Sequence, residues 1–141
     1  MRGALTLCRY SRTGARILAA MKWVVKTIDT ERRRLERARR RFIDEPDEEG
    51  LHDLRTGGRR LRSFLEAVRE LEHHPKLLRR LKRASELTDA ARDATILLAL
   101  LEHTVDETER VTAAPLLEQL RERARFATSE TRRLLRKVGF A

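Results

Sequence analysis

Between His52 and Arg62 the run HDLRTGGRRLR sets a histidine and three arginines, His52, Arg55, Arg59 and Arg62, at spacings of three, four and three. A helix turns about 100° per residue, so these side chains share an arc of roughly 80°. Leu51, Leu54, Leu61 and Leu65 fill the adjoining arc, which places the arginines at the border of a buried face. A guanidinium held on a packed scaffold presents a planar fork of donors that matches phosphate oxygens. The chemistry open to this stripe is therefore recognition of a polyanion. The competing reading is a solvated flank with ordinary ion pairs at i,i+4, and the spacing alone leaves both open.

Composition narrows the ligand. The chain has 141 residues and a net charge of +10, which suits one domain that attracts nucleic acid, polyphosphate or acidic lipid. Of its 32 basic residues 27 are Arg. Bidentate phosphate contacts favour that bias, and so does codon usage in a GC-rich genome. Acids and bases interleave along an apolar period, as in folded amphipathic helices rather than a disordered basic tail. Aromatic residues make up 4% of the chain, which provides few platforms for stacking bases, so single-stranded nucleic acid is a weaker partner than a ligand made entirely of phosphate. Cys8 is the one cysteine, which rules out an internal disulfide and points to the cytoplasm. The apolar segment from Ile17 to Ile28 is interrupted by Lys22 and Lys26 and fits neither a signal peptide nor a membrane span.

The elements that must position the stripe are four helices. Residues 1–12 lack a clear period and read as a loose lead-in, and residues 13–141 as a single four-helix domain. The first helix, about Thr13 to Asp44, places Ile17, Met21, Val24, Ile28, Leu35, Ala38 and Phe42 on one seam. It should stop at Glu45-Pro46, after which Asp47 suits an N-cap and Glu48 and Glu49 the first turn of the second helix. That helix should reach Glu72, and a tight reversal at His73-His74-Pro75 starts a third running to His103. A fourth, about Ala113 to Val138, buries Leu117, Leu120, Ala124, Ala127, Leu134 and Val138, with Pro115 in its first turn. Strand signals are lacking, so the expected architecture is an all-α antiparallel bundle of four long helices.

A reversal centred near His74 and Pro75 makes paired positions on helices two and three sum to about 149, which brings Arg92 level with Arg55 and Arg59. On its own helix Arg92 shares an arc with Leu78, Leu81, Ser85 and Thr88, so it is expected to face inward and to need an anion. Asp53, Asp89, Asp93 or a bound phosphate would serve. Arg32 and Arg39 flank the seam of helix one, and Arg121, Arg125, Arg132 and Arg136 that of helix four. Stripes on several helices could converge on one electropositive groove, although periodicity does not fix their direction.

No catalytic constellation is present: there is no glycine-rich phosphate loop ending in Lys-Ser/Thr, no nucleophile beside a base and no isolated acid pair. The four histidines show no metal-site spacing. The expectation is a protein without catalytic residues, metal or cofactor.

The run LHDLRTGGRRLRSFL, followed by ARDATILLALL, resembles the signature of the CHAD domain, the conserved histidine alpha-helical domain. Its pattern of a histidine, an arginine three residues on, an RRxR cluster and an Arg-Asp pair on the next helix falls here at His52, Arg55, Arg59, Arg60, Arg62, Arg92 and Asp93. The resemblance implies a non-enzymatic helical module that binds inorganic polyphosphate in a basic cavity, lined by His52, Arg55, Arg59, Arg62 and Arg92. Arg60 is carried over with them, although it points to the other side of its helix, and Asp93 would orient neighbouring arginines. Arg32, Arg39, Arg121 and Arg125 are added as candidates from the flanking stripes. Domains of this family usually contain two helical halves, and this chain matches one, which implies a homodimer. The resemblance also suggests association with polyphosphate granules. Gly57-Gly58 departs from the pattern, where Val-Ala-Thr-like residues are more usual, and would permit close approach of a neighbouring helix or merely weaken the helix.

Overall fold

A computed structural model describes residues 4–141, with side chains from Thr13 onward. Four helices follow in order, α1 (Ala4–Asp44), α2 (Glu48–Ala67), α3 (Pro75–Thr104) and α4 (Arg110–Leu135). The described residues contain no strand. The all-α antiparallel bundle expected from periodicity is thus the architecture observed, with several boundaries moved.

Proline and capping chemistry set the sharpest boundaries. α1 stops two residues before Pro46, and the Asp47 carboxylate accepts a hydrogen bond from the Gly50 backbone amide at 2.5 Å to open α2. Glu48 and Glu49 occupy the first turn of α2, where the free amides favour them. Pro75 occupies the first turn of α3. The other ends differ from expectation. The backbone of α1 is helical from Ala4 rather than from about Thr13, and residues 1–3 lie outside the described residues. α2 ends at Ala67 rather than near Glu72, leaving a longer connection to α3. α4 starts at Arg110, so Pro115 lies beyond the first turn and leaves the Val111 carbonyl without its usual helical donor.

Helix length decides what the core can cover. α1 has 41 residues and α2 has 20, which correspond to about 60 Å and about 30 Å of helix. Pairing back from the turn at Pro46, α2 reaches only as far as Trp23, whose ring meets Phe64 edge to face at 6.0 Å. Ile17, expected in the seam, therefore lies beyond its partner helix and is exposed together with Leu18. Val24, Ile28, Leu35 and Phe42 are buried as expected, against Leu51, Leu54, Leu61 and Leu65 of α2. Gly57 faces this contact: a Cβ there would stand 3.3 Å from a methyl of Leu35, whereas one at Gly58 would meet nothing within 4 Å. The close approach anticipated for the glycine pair is thus made at Gly57 alone.

α3 and α4 form a second hairpin, offset from the first. Leu77, Leu81, Ala84 and Ala91 bury against the shared core, and Thr131 donates to the Leu87 carbonyl across the hairpin at 2.8 Å. Beyond this level Ile96, Leu97, Leu100, Leu116 and Phe126 remain exposed. Phe140, just after α4, is one of the most buried side chains and joins the core cluster.

Polar ties lock α1 to α4. Arg39 binds Glu36 with two nitrogens, at 2.6 and 3.1 Å, and donates a third hydrogen bond to the Leu135 carbonyl at 2.7 Å. Both side chains of this pair are only 12% exposed. Glu36 also accepts from the Phe140 amide at 3.0 Å and from Arg40 at 3.2 Å. Burial disfavours its charge, but the hydrogen bonds from Arg39 and the Phe140 amide, the Arg39 charge and Arg40 prevail, and its pKa falls to about 2. Arg132 adds hydrogen bonds to the carbonyls of Ile43 and Asp44, satisfying the otherwise free end of α1.

Candidate functional site

The stripe on α2 faces a groove between α2 and α3. Its volume is about 290 Å³, and its walls include His52, Arg55, Thr56 and Arg59 from α2 and Arg92, Thr95 and Ile96 from α3. Arg55 and Arg59 also line a smaller cavity of about 70 Å³ with Arg62, Gly58, Ser85, Thr88 and Phe140. Two arginines thus serve both hollows, and the basic lining runs along the α2–α3 seam for the length of the stripe.

Each side chain is set by its helix position. Arg55 follows the buried Leu54, and its guanidinium crosses to α3, donating to the Thr88 hydroxyl at 2.9 Å and to the Asp89 carboxylate at 2.6 Å. Thr88 is buried, and its hydroxyl donates in turn to the Ser85 carbonyl at 2.9 Å. Arg59, one turn further along, is exposed and makes no hydrogen bond or ion pair among the described residues. Arg62 pairs with Glu66 at 2.9 Å, an i,i+4 contact open to solvent. The His52 ring lies 3.4 Å from the Thr56 hydroxyl. Glu48 is an acid at the end of the groove.

Arg92 differs from its expected position. It lines the groove but is exposed, with no acidic partner among the described residues. Its level differs as well, through register. Arg55 meets Thr88 and Asp89, so paired positions sum to about 144 rather than about 149. The longer connection after Ala67 slides α3, and Asp89 rather than Arg92 comes level with Arg55. Asp53 instead lies beside Arg41 at 3.5 Å, and Asp93 faces the cleft between α3 and α4.

The remaining stripes do not converge on this groove, which corrects the wider site. Arg39 is spent on Glu36 and the Leu135 carbonyl. Arg32 pairs with Asp29 at 3.0 Å and lines a separate hollow with Arg33, Arg37, Arg40 and Ala141. Arg121 holds Glu102 of α3 with two nitrogens, at 2.9 and 3.1 Å, and Arg125 reaches Glu118 at 3.4 Å. Arg60 is exposed and lines neither hollow. Thr88, Ser85 and Thr95 are groove residues that the arginine spacing did not single out; their signal was their shared position on the inward arc of α3. Among the described residues no group of three or more His, Cys, Asp or Glu could hold a metal ion. No helix there is long and apolar enough to cross a membrane.

The arrangement can receive an elongated anion, because cationic side chains follow one another along a seam whose floor is packed and low in dielectric. Neither the curated proteins nor the solved structures contain a match to this chain. The sequence model of one family, described as the CHAD domain, does match, over residues 26–140, and so takes in both helices of the groove and most of α1 and α4. With a match over most of its length, the chain belongs to the CHAD domain family.

Proposed function

We propose that the protein binds inorganic polyphosphate along the α2–α3 groove, without turning it over. The observation that carries this reading is the pair Arg59 and Arg92, two exposed guanidiniums on opposite walls of one groove that make no ion pair among the described residues, Glu48 being the one acid in the lining. Arg37, Arg60, Arg79 and Arg123 are also unpaired among the described residues, but Arg59 and Arg92 face one groove from neighbouring helices, and that convergence favours an external anion. His52 and Arg55 extend the same wall, and Thr88 fixes the aim of Arg55. A polyphosphate chain offers a phosphate to each cation in turn, and it asks for no stacking surface.

The test is competition between long-chain polyphosphate and duplex DNA of equal charge, at about 150 mM salt, where the screening length of about 8 Å suppresses diffuse attraction. Polyphosphate is expected to displace the DNA at much lower phosphate concentration. Equal potency of the two would reduce the groove to a general basic surface and favour nucleic-acid binding.

We also propose that the protein works as a homodimer. Ile17, Leu18 and Trp23 on α1 and Leu97, Leu100 and Phe126 on the offset hairpin are large apolar side chains left exposed at the two ends of the core. Surfaces of this kind mark contacts. Light scattering after size exclusion is expected to give twice the chain mass, with or without polyphosphate, and a monomer mass in both conditions would overturn the dimer.

A further inference from the structure

Among the groove arginines, Arg55 alone is already engaged across the seam by a carboxylate from the facing helix. Its NH1 lies 2.6 Å from an oxygen of Asp89, a separation as short as a charge-assisted bond to phosphate would be. The two ends of this pair sit differently in solvent: the Arg55 side chain is 20% exposed and that of Asp89 is 52% exposed. The acid therefore stands on the solvent side of the pair, at the edge of the seam and outside the lining of either hollow. Arg59 and Arg92, in the same groove, carry no such partner among the described residues.

We propose that Asp89 is an internal competitor, occupying Arg55 in place of a ligand phosphate and released when polyphosphate binds. The inference rests on the reading of the groove as a polyphosphate site. Two features make the exchange workable. Asp89 is half in water, so losing its partner leaves no buried charge. Arg55 meanwhile remains aimed, since its NH1 is also held by the Thr88 hydroxyl at 2.9 Å, and that hydroxyl is itself anchored on the Ser85 carbonyl. Thr88 is thus the positioning residue and Asp89 the removable anion. The consequence for selectivity follows from counting contacts. A single phosphate would trade one ion pair for another of similar strength, whereas a chain breaks the Asp89 pair once and gains Arg59, Arg92 and His52 as well.

The experiment titrates long-chain inorganic polyphosphate and duplex DNA against the wild-type protein, Asp89→Asn, and Glu122→Gln, which removes the same charge from an exposed site on α4. Asp89→Asn is expected to bind polyphosphate about fivefold more tightly than the wild type, well beyond any gain from Glu122→Gln. In an Arg55→Ala background that extra gain should vanish. An Asp89→Asn protein that binds no better than Glu122→Gln, or more weakly than wild type, would overturn the proposal and make Asp89 a positioning residue or a bystander. Its failure is separable from that of the site reading. If the wild type prefers polyphosphate to DNA and Asp89→Asn brings no gain, only the competitor falls; if the wild type shows no preference, the polyphosphate reading falls and this inference with it.

Discussion

Replacing Glu36 by alanine should destabilise the bundle by about 3 kcal/mol, the cost typical of breaking a buried ion pair from one side. The size of the effect comes from what the substitution leaves behind. Arg39 would keep its charge in a site where its side chain is 12% exposed, with one carbonyl in place of a carboxylate and a carbonyl. The Phe140 amide would lose its acceptor in a buried position, and Arg40 its partner. Urea unfolding measures the loss directly, and a change below about 1 kcal/mol would show that the cluster contributes no more than a surface pair. The same residue predicts an acid response. Its folded pKa of about 2 lies below the ordinary 4.5, so its stabilising contribution is complete above 4.5 and fades as the pH falls toward 2. Glu36→Gln should flatten that part of the stability profile.

Arg59→Ala should weaken polyphosphate binding by about tenfold or more, the range for removing a charge-assisted contact at the centre of a site, while leaving stability near the wild-type value. Arg59 lines both hollows of the groove, so any chain lying along the seam must pass it. It makes no hydrogen bond or ion pair among the described residues, so its loss strands no partner there. Arg55→Ala should also weaken binding, but its effect is mixed with the release of Asp89 and Thr88. Arg59 therefore gives the cleaner measurement, read by titration of polyphosphate and by thermal unfolding in parallel.

Much of this was legible in the chain. Pro46, Asp47 and Pro75 punctuate the helices by mechanisms that act within a few residues, and those boundaries came out where the local chemistry puts them. The stripe from His52 to Arg62 was legible for the same reason, since periodicity fixes which side chains share a face. What periodicity does not fix is which face of a neighbour they meet. The level of Arg92 depended on the length of the connection after Ala67, and a slide of a few residues there exchanged Arg92 for Asp89 opposite Arg55. The fate of the other arginines was hidden similarly. Arg39 and Arg121 look alike as flanking cations, yet one meets a carbonyl at the end of α4 and the other a glutamate of α3. Phe140 lay outside any helical period, and only the folded chain brings it back over Glu36.

The claim that matters most is that one groove, rather than the net charge of +10, recognises the ligand. Two variants of equal charge decide it. Arg59→Ala with Arg92→Ala removes the unneutralised pair inside the groove, and Arg60→Ala with Arg125→Ala removes two arginines outside it. Titration with long-chain polyphosphate at about 150 mM salt should show the first variant weakened by about a hundredfold and the second by less than about threefold. Equal losses in the two would contradict the groove and leave only a basic surface.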